Sequence, residues 1–138
     1  MIGYLDSSIL LSYVLGQKVK AFKWSSFDSW YSSILLEVEC YRVLDRLRLQ
    51  GDLTDVQLAK TRSAVSKHLR PIGLIGIGPE IAKRAAGAFP TVLKTLDAIH
   101  LSTALLIAER LERSICLVSS DNQLITAARA CGLAVQPN

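Results

Sequence analysis

An α/β fold with a parallel central sheet is predicted for this chain of 138 residues, on three observations. Short apolar runs alternate with segments of helical periodicity, the pattern of a parallel sheet with helices on both faces. The longest helical segment, 95–111, is apolar most of the way round and is therefore expected to be buried. The length suits one domain, residues 1–138, with a sizeable core.

The first apolar run, Ile2-Gly3-Tyr4-Leu5, reads as a buried strand. Asp6-Ser7-Ser8 follows and leads into a helix from Ile9 to Leu15, ended by Gly16. An acid placed there lies where open α/β sheets bind ligands. It is also a good N-cap, as are Ser7 and Ser8. Lys18, Lys20 and Lys23, interleaved with Phe22 and Trp24, form a small basic patch suited either to a phosphate backbone or to a solvated face. A second strand is expected around Trp30-Tyr31-Ser32.

A helix from Ile34 to Gln50 ends at Gly51, with a core stripe of Leu36, Cys40, Val43 and Leu47. Glu39 lies about 60° from that stripe, with Arg42 and Arg46 following along the same edge. Glu37 lies on the other side, so Glu39 is the better placed to face a cleft. The alternative is an i,i+3 ion pair between Glu39 and Arg42. Leu53 to Lys67 reads as a second helix with Thr54 as a candidate N-cap, and Arg70 to Ile77 as a strand. Gly78-Pro79 opens a short helix reaching about Ala88. Gly73, Gly76 and Gly78 are spaced GxxGxG and do not match a nucleotide-binding loop.

The 95–111 helix carries Asp97 in its first turn, on one stripe with Leu101, Ala104, Ala108 and Leu111 at ~100° per residue. A carboxylate aimed inward needs a partner, a cation or a raised pKa. Capping the helix start is the simpler role. His100, one turn on, reads as a structural hydrogen-bonding residue rather than a general base. The run Ile115 to Val118 is a strongly apolar strand; Asp121 follows it and precedes a helix through Leu124, Ile125, Ala128 and Cys131, and Leu133-Ala134-Val135 closes the sheet. Asp121 thus repeats the placement of Asp6, and again an N-cap is the competing role.

Composition excludes several classes. The three cysteines, Cys40, Cys116 and Cys131, are too few and scattered for a disulfide framework or a zinc knuckle, and they point to a reducing cytoplasm. No run approaches a membrane span, and the first fifteen residues lack the basic start of a signal peptide. Net charge is +4, which mildly favours a polyanionic partner. Half the residues are hydrophobic, so a partner or second copy is expected to cover some apolar surface.

A parallel sheet would deliver Asp6 and Asp121 from strand ends, with Asp97 and Glu39 entering from helices. Converging carboxylates repel and must take up protons or cations. The natural counter-ion is Mg²⁺ or Mn²⁺, held by a few carboxylates and waters.

Four segments carry a resemblance: Tyr-Leu-Asp6-Ser-Ser, Glu-Val-Glu39-Cys-Tyr-Arg-Val-Leu, Leu-Asp97-Ala-Ile-His-Leu-Ser-Thr-Ala and Ser-Ser-Asp121-Asn-Gln-Leu-Ile-Thr-Ala-Ala-Arg. In this order they resemble the blocks of the PIN domain, most of all the VapC-type toxins of bacterial toxin–antitoxin pairs. The resemblance implies a metal-dependent ribonuclease on a three-layer α/β/α sandwich with a mainly parallel sheet. It assigns the acids to Asp6, Glu39, Asp97 and Asp121, with Mg²⁺ or Mn²⁺ among Asp6, Asp97 and Asp121. Ser8 and Ser119 match supporting polar positions. It also implies an RNA substrate, held by Arg42, Arg46 and the lysines at 18, 20 and 23. A homodimer and a cognate antitoxin that blocks the site are further implications. The short segment between the first helix and Trp30 departs from the pattern. A phosphate-accepting receiver module would need an acid pair after the first strand and a lysine after the last full strand, and neither is present. An RNA-maturation nuclease and a PIN-fold protein that binds without cutting are the remaining alternatives.

Overall fold

Five short strands make one sheet in the computed structural model, which describes residues 1–19 and 23–137. The strands are β1 (Ile2–Leu5), β2 (Trp30–Ser33), β3 (Ile72–Ile75), β4 (Ile115–Val118) and β5 (Ala134–Gln136). Their order is β3-β2-β1-β4-β5, and every pairing is parallel. β1 is central, with Gly3 opposite Trp30 on one side and Leu5 opposite Val118 on the other. Central strands buried on both faces read as continuous apolar runs, as β1 and β4 do.

The helices are α1 (Ser7–Val14), α2 (Leu35–Leu49), α3 (Asp55–Leu69), α4 (Pro79–Ala85), α5 (Thr95–Leu111) and α6 (Asn122–Ala130). They make two cores, one on each face of the sheet. Successive strand residues point to opposite faces. Ile2, Tyr4, Ile115 and Leu117 therefore pack with Leu101 of α5 and Leu124 of α6. Leu5, Cys116 and Val118 pack on the other face with Ile9, Leu36, Cys40, Leu44 and Val65 of α1, α2 and α3. The result is the expected three-layer α/β/α sandwich. Gly3 admits the Trp30 ring: a Cβ there would lie 2.5 Å from a ring carbon.

Local signals set several helix ends. Thr54 and Gln57 form a reciprocal capping box at α3. Gly78 and Pro79 open α4. Gly51 and Gly132 follow α2 and α6 with φ of +76° and +86°, where a side chain would be strained.

Two expectations need correction. The buried stripe of α2 is Leu36, Cys40 and Leu44, whereas Val43 and Leu47 are only partly buried. An i, i+4, i+8 stripe faces the core here because α2 packs against both α1 and α3. Asp97 is not the cap of α5: Lys94 occupies that position, and no side-chain hydrogen bond caps the helix. Among the described residues no helix is long and apolar enough to cross a membrane.

Candidate active site

β1 and β4 are neighbours, but the chain leaves β1 toward β2 and α2 and returns on the other side through α5. Such a reversal opens a crevice beyond the strand ends. Asp6 and Asp121 sit at that edge, just past β1 and β4.

Asp6 is 5% exposed. It occupies the N-cap position of α1 but its side chain makes no capping bond. Its Oδ2 instead accepts from Ser8 Oγ at 2.6 Å and Ser119 Oγ at 2.8 Å. The two serines tie both strand ends together. Ser119 Oγ also accepts from the Asp121 backbone N–H at 3.0 Å, and Ser8 Oγ from the Ser120 N–H at 3.0 Å. Asp121 is exposed and is a true cap: its Oδ1 accepts from the backbone N–H groups of Gln123 and Leu124.

Asp97 is half-buried and has no hydrogen bond or ion pair among the described residues. Burial, then the charges of Asp121 and Asp6, push its pKa up to about 6; Glu39 adds to the rise and His100 opposes it. Charges more than a Debye length apart would barely register. The helix-borne Asp97 and the strand-end acids therefore share one electrostatic site.

Glu39 is the acid of α2 that faces this site. Its Oε1 accepts from His100 Nε2 at 2.5 Å, and its Oε2 from Ser7 Oγ at 3.4 Å. Glu37 makes neither hydrogen bond nor ion pair among the described residues. The alternative pairing of Glu39 with Arg42 does not form; Arg42 bonds Asp45 at 3.2 Å instead. A carboxylate only accepts, so His100 Nε2 carries a proton. His100 Nδ1 lies 2.8 Å from the Tyr4 hydroxyl, which also accepts from the Ser33 N–H at 3.0 Å. Burial works against a charged His100, but the hydrogen bond and charge of Glu39 outweigh it and raise its pKa. Burial keeps the Tyr4 phenol protonated. His100 thus bridges Tyr4 and Glu39 by hydrogen bonds that cross between elements rather than serving the helix start. Sequence reasoning missed Tyr4 and Ser7 as members of this network. Tyr4 reads as one more apolar strand residue, and nothing local marks its hydroxyl.

The basic residues are less tightly placed. Arg42 and Arg46 are exposed on α2, and among the described residues neither forms an ion pair with Asp6, Glu39, Asp97 or Asp121. Lys18 and Lys23 are exposed. Lys20, with Phe22, lies outside the described residues. Cysteine chemistry is excluded at this site: burial pushes the Cys40 thiol up to about 12 and that of Cys116 to about 11, and neither is the thiolate a nucleophile needs.

Among the described residues no three His, Cys, Asp or Glu side chains form a ready-made metal cage. The donor chemistry nevertheless suits a hard, water-retaining cation. Mg²⁺ keeps several waters and takes as few as one or two protein carboxylates. Asp97 is an unpartnered carboxylate among three others, and a cation there would relieve its raised pKa.

A fully parallel α/β sandwich with its acids gathered beyond two neighbouring strand ends defines a class of fold and site. The chain belongs to the PIN domain family, which matches residues 3–130. It is also similar to Ribonuclease VapC46 of Mycobacterium tuberculosis, with 35% identity over 74 residues. That match covers 54% of this chain and 55% of the relative, so the chain spans about half the length of the protein it matches.

Proposed function

We propose that this chain is a metal-dependent endoribonuclease acting as the toxin of a toxin–antitoxin pair. The observation that carries this reading is Asp97, a carboxylate without a partner, pushed up to about 6 among Asp6, Asp121 and Glu39. Massed negative charge next to RNA makes sense only if a cation intervenes. The family and the ribonuclease relative support the same reading.

Asp6, Asp97 and Asp121 are the residues to hold Mg²⁺ or Mn²⁺, with Glu39 contributing directly or through water. When bound, such a metal activates water for attack on a phosphodiester and stabilises the charge that develops there. Ser8 and Ser119 fix one oxygen of Asp6, and its other oxygen carries no hydrogen bond among the described residues. His100 fixes Glu39 from behind, as an outer partner orients a metal-site ligand. Lys18, Lys20, Lys23, Arg42 and Arg46 supply positive charge for the RNA backbone. The exposed apolar residues Ile77, Val92 and Leu96 support coverage by a second copy and by an antitoxin. Three free cysteines suit a reducing cytoplasm, and residues 1–138 would act as one nuclease domain.

The test is cleavage of total RNA by purified protein freed of any co-purified partner. Discrete cuts with Mg²⁺ or Mn²⁺, lost with EDTA and in Asp97→Asn, are expected. Retained cleavage in the folded Asp97→Asn variant would sink the assignment.

A further inference from the structure

Beside the acid cluster lies a cavity of about 210 Å³ whose character is opposite in charge. It opens between the end of α1, the segment after it, and α6. Among the described residues, Lys18 and Arg129 line it and no Asp or Glu does. Neither cation makes an ion pair among the described residues. Its apolar wall is Ile9, Val19 and Ile125, and Ser12 and Asn122 add polar groups. Ser119 also lines it, and the same Ser119 hydroxyl donates to Asp6. The cavity and the acid cluster therefore share a wall.

Each feature narrows the occupant. Two cations without a carboxylate exclude a metal and select an anion. An apolar wall beside them selects an anion that also carries a flat, weakly polar surface. The volume is below the ~300–1,000 Å³ of drug-sized ligand sites, so the occupant is one small unit rather than a whole cofactor. The shared Ser119 wall puts that unit next to whatever the acids act upon.

We infer that this cavity is a nucleotide subsite: it takes the base and phosphate of the nucleotide flanking the scissile bond, with Lys18 and Arg129 on the phosphate, Val19 and Ile125 against the base, and buried Ile9 behind them as the floor. The inference rests on the ribonuclease reading, and it adds Arg129 to the residues that select RNA. Asn122 and Ser12 supply hydrogen-bonding groups for a base edge, so the subsite would confer a base preference on cleavage.

The test separates this inference from the reading beneath it. Each of the four nucleoside 5′-monophosphates is titrated into the metal-free protein in EDTA, with methyl NMR of Ile9, Val19 and Ile125 as the readout. Shifts at these methyls are expected, strongest for one base. Lys18→Ala and Arg129→Gln should each weaken binding about tenfold and lower the salt dependence of RNA binding by about one counterion. Lys60→Ala, an exposed cation far along the chain on α3, is the control and should change neither. Arg129 also lies in the last turn of α6, so thermal unfolding is followed in parallel. If Arg129→Gln unfolds, Lys18→Ala, which lies outside any helix, decides the matter alone. Silent methyls, inorganic phosphate binding as tightly as every nucleotide, or variants that bind like wild type would overturn the subsite. Each of these is compatible with continued RNA cleavage, which would leave the ribonuclease reading standing. Base-selective binding in a protein that cuts no RNA would support the subsite as a nucleotide site and overturn the nuclease.

Discussion

The starts of α1 and α6 look alike in sequence and differ in what their acids do. Each follows a central strand, each begins with an Asp at the N-cap position, and serines stand nearby. Asp121 is exposed and uses Oδ1 to cap two N–H groups. Asp6 is buried, caps nothing, and takes two serine hydroxyls on Oδ2. Ser119 makes the difference. It comes from the β4 end, donates to Asp6 and holds the Asp121 backbone N–H. One acid caps its helix and the other is held by serines from two strand ends. An N-cap motif alone therefore does not tell a capping carboxylate from one bonded to distant side chains.

Exchanging each acid for its amide is the sharpest way to break this comparison. Asp6→Asn should reduce RNA cleavage to background, with circular dichroism and melting temperature near wild type. Asp121→Asn keeps the cap, since Asn and Asp cap equally well, and loses the charge that Asp97 feels and that a cation would draw on. Its cleavage rate should fall less than that of Asp6→Asn. Full activity in Asp121→Asn would reduce Asp121 to a cap.

A smaller effect is expected at the serine that joins the two. Ser119→Ala removes one of the two hydroxyls on Asp6 Oδ2, leaving that of Ser8, and should cost about 10–100-fold in activity or metal affinity, the usual loss when an outer partner of a metal-site ligand is removed. Isothermal titration with Mn²⁺ would separate weakened metal binding from a slower reaction.

Stability gives the finest distinction. Asp121→Ala removes the cap and should destabilise by about 0.5–2 kcal/mol in urea unfolding. Asp97→Asn should act in the other direction in metal-free protein. The folded pKa of Asp97, about 6, is above its unfolded value, so its ionisation costs stability as pH rises through that window. The variant lacks this cost. Its melting temperature in EDTA should exceed wild type at pH 7.5, with the gap closing toward pH 4. Solvent exposure of this half-buried group keeps the shift modest. An unchanged gap across that range would show that neither burial nor the other acids raise the Asp97 carboxyl.

Much of this was legible in the chain itself. The expected bounds of α5, Thr95 to Leu111, match the structure because a long apolar periodicity ends at a clear break. Thr54 was legible as a cap because Gln57 stands three residues on. Glu39 was preferred over Glu37 by helical angle from a stripe that the structure shifts from Val43 and Leu47 to Leu44. By contrast, Leu44 replaced Val43 and Leu47 in the core because two neighbouring helices, not one, decide which stripe α2 buries. The competing Glu39–Arg42 pair was local and plausible, and lost to contacts from distant residues.

The sequence by itself determined the alternation of strand and helix, and with it the delivery of Asp6 and Asp121 to one edge of the sheet. Those features are written in short-range periodicity and turn chemistry, which a neighbour-by-neighbour reading captures. Tertiary structure alone decided which oxygens remain for chemistry. Ser119 reaches Asp6 across 113 positions, Tyr4 meets His100 across 96, and His100 meets Glu39 across 61. No periodicity encodes such pairs; they form because the folded sheet brings buried polar groups together that must satisfy one another.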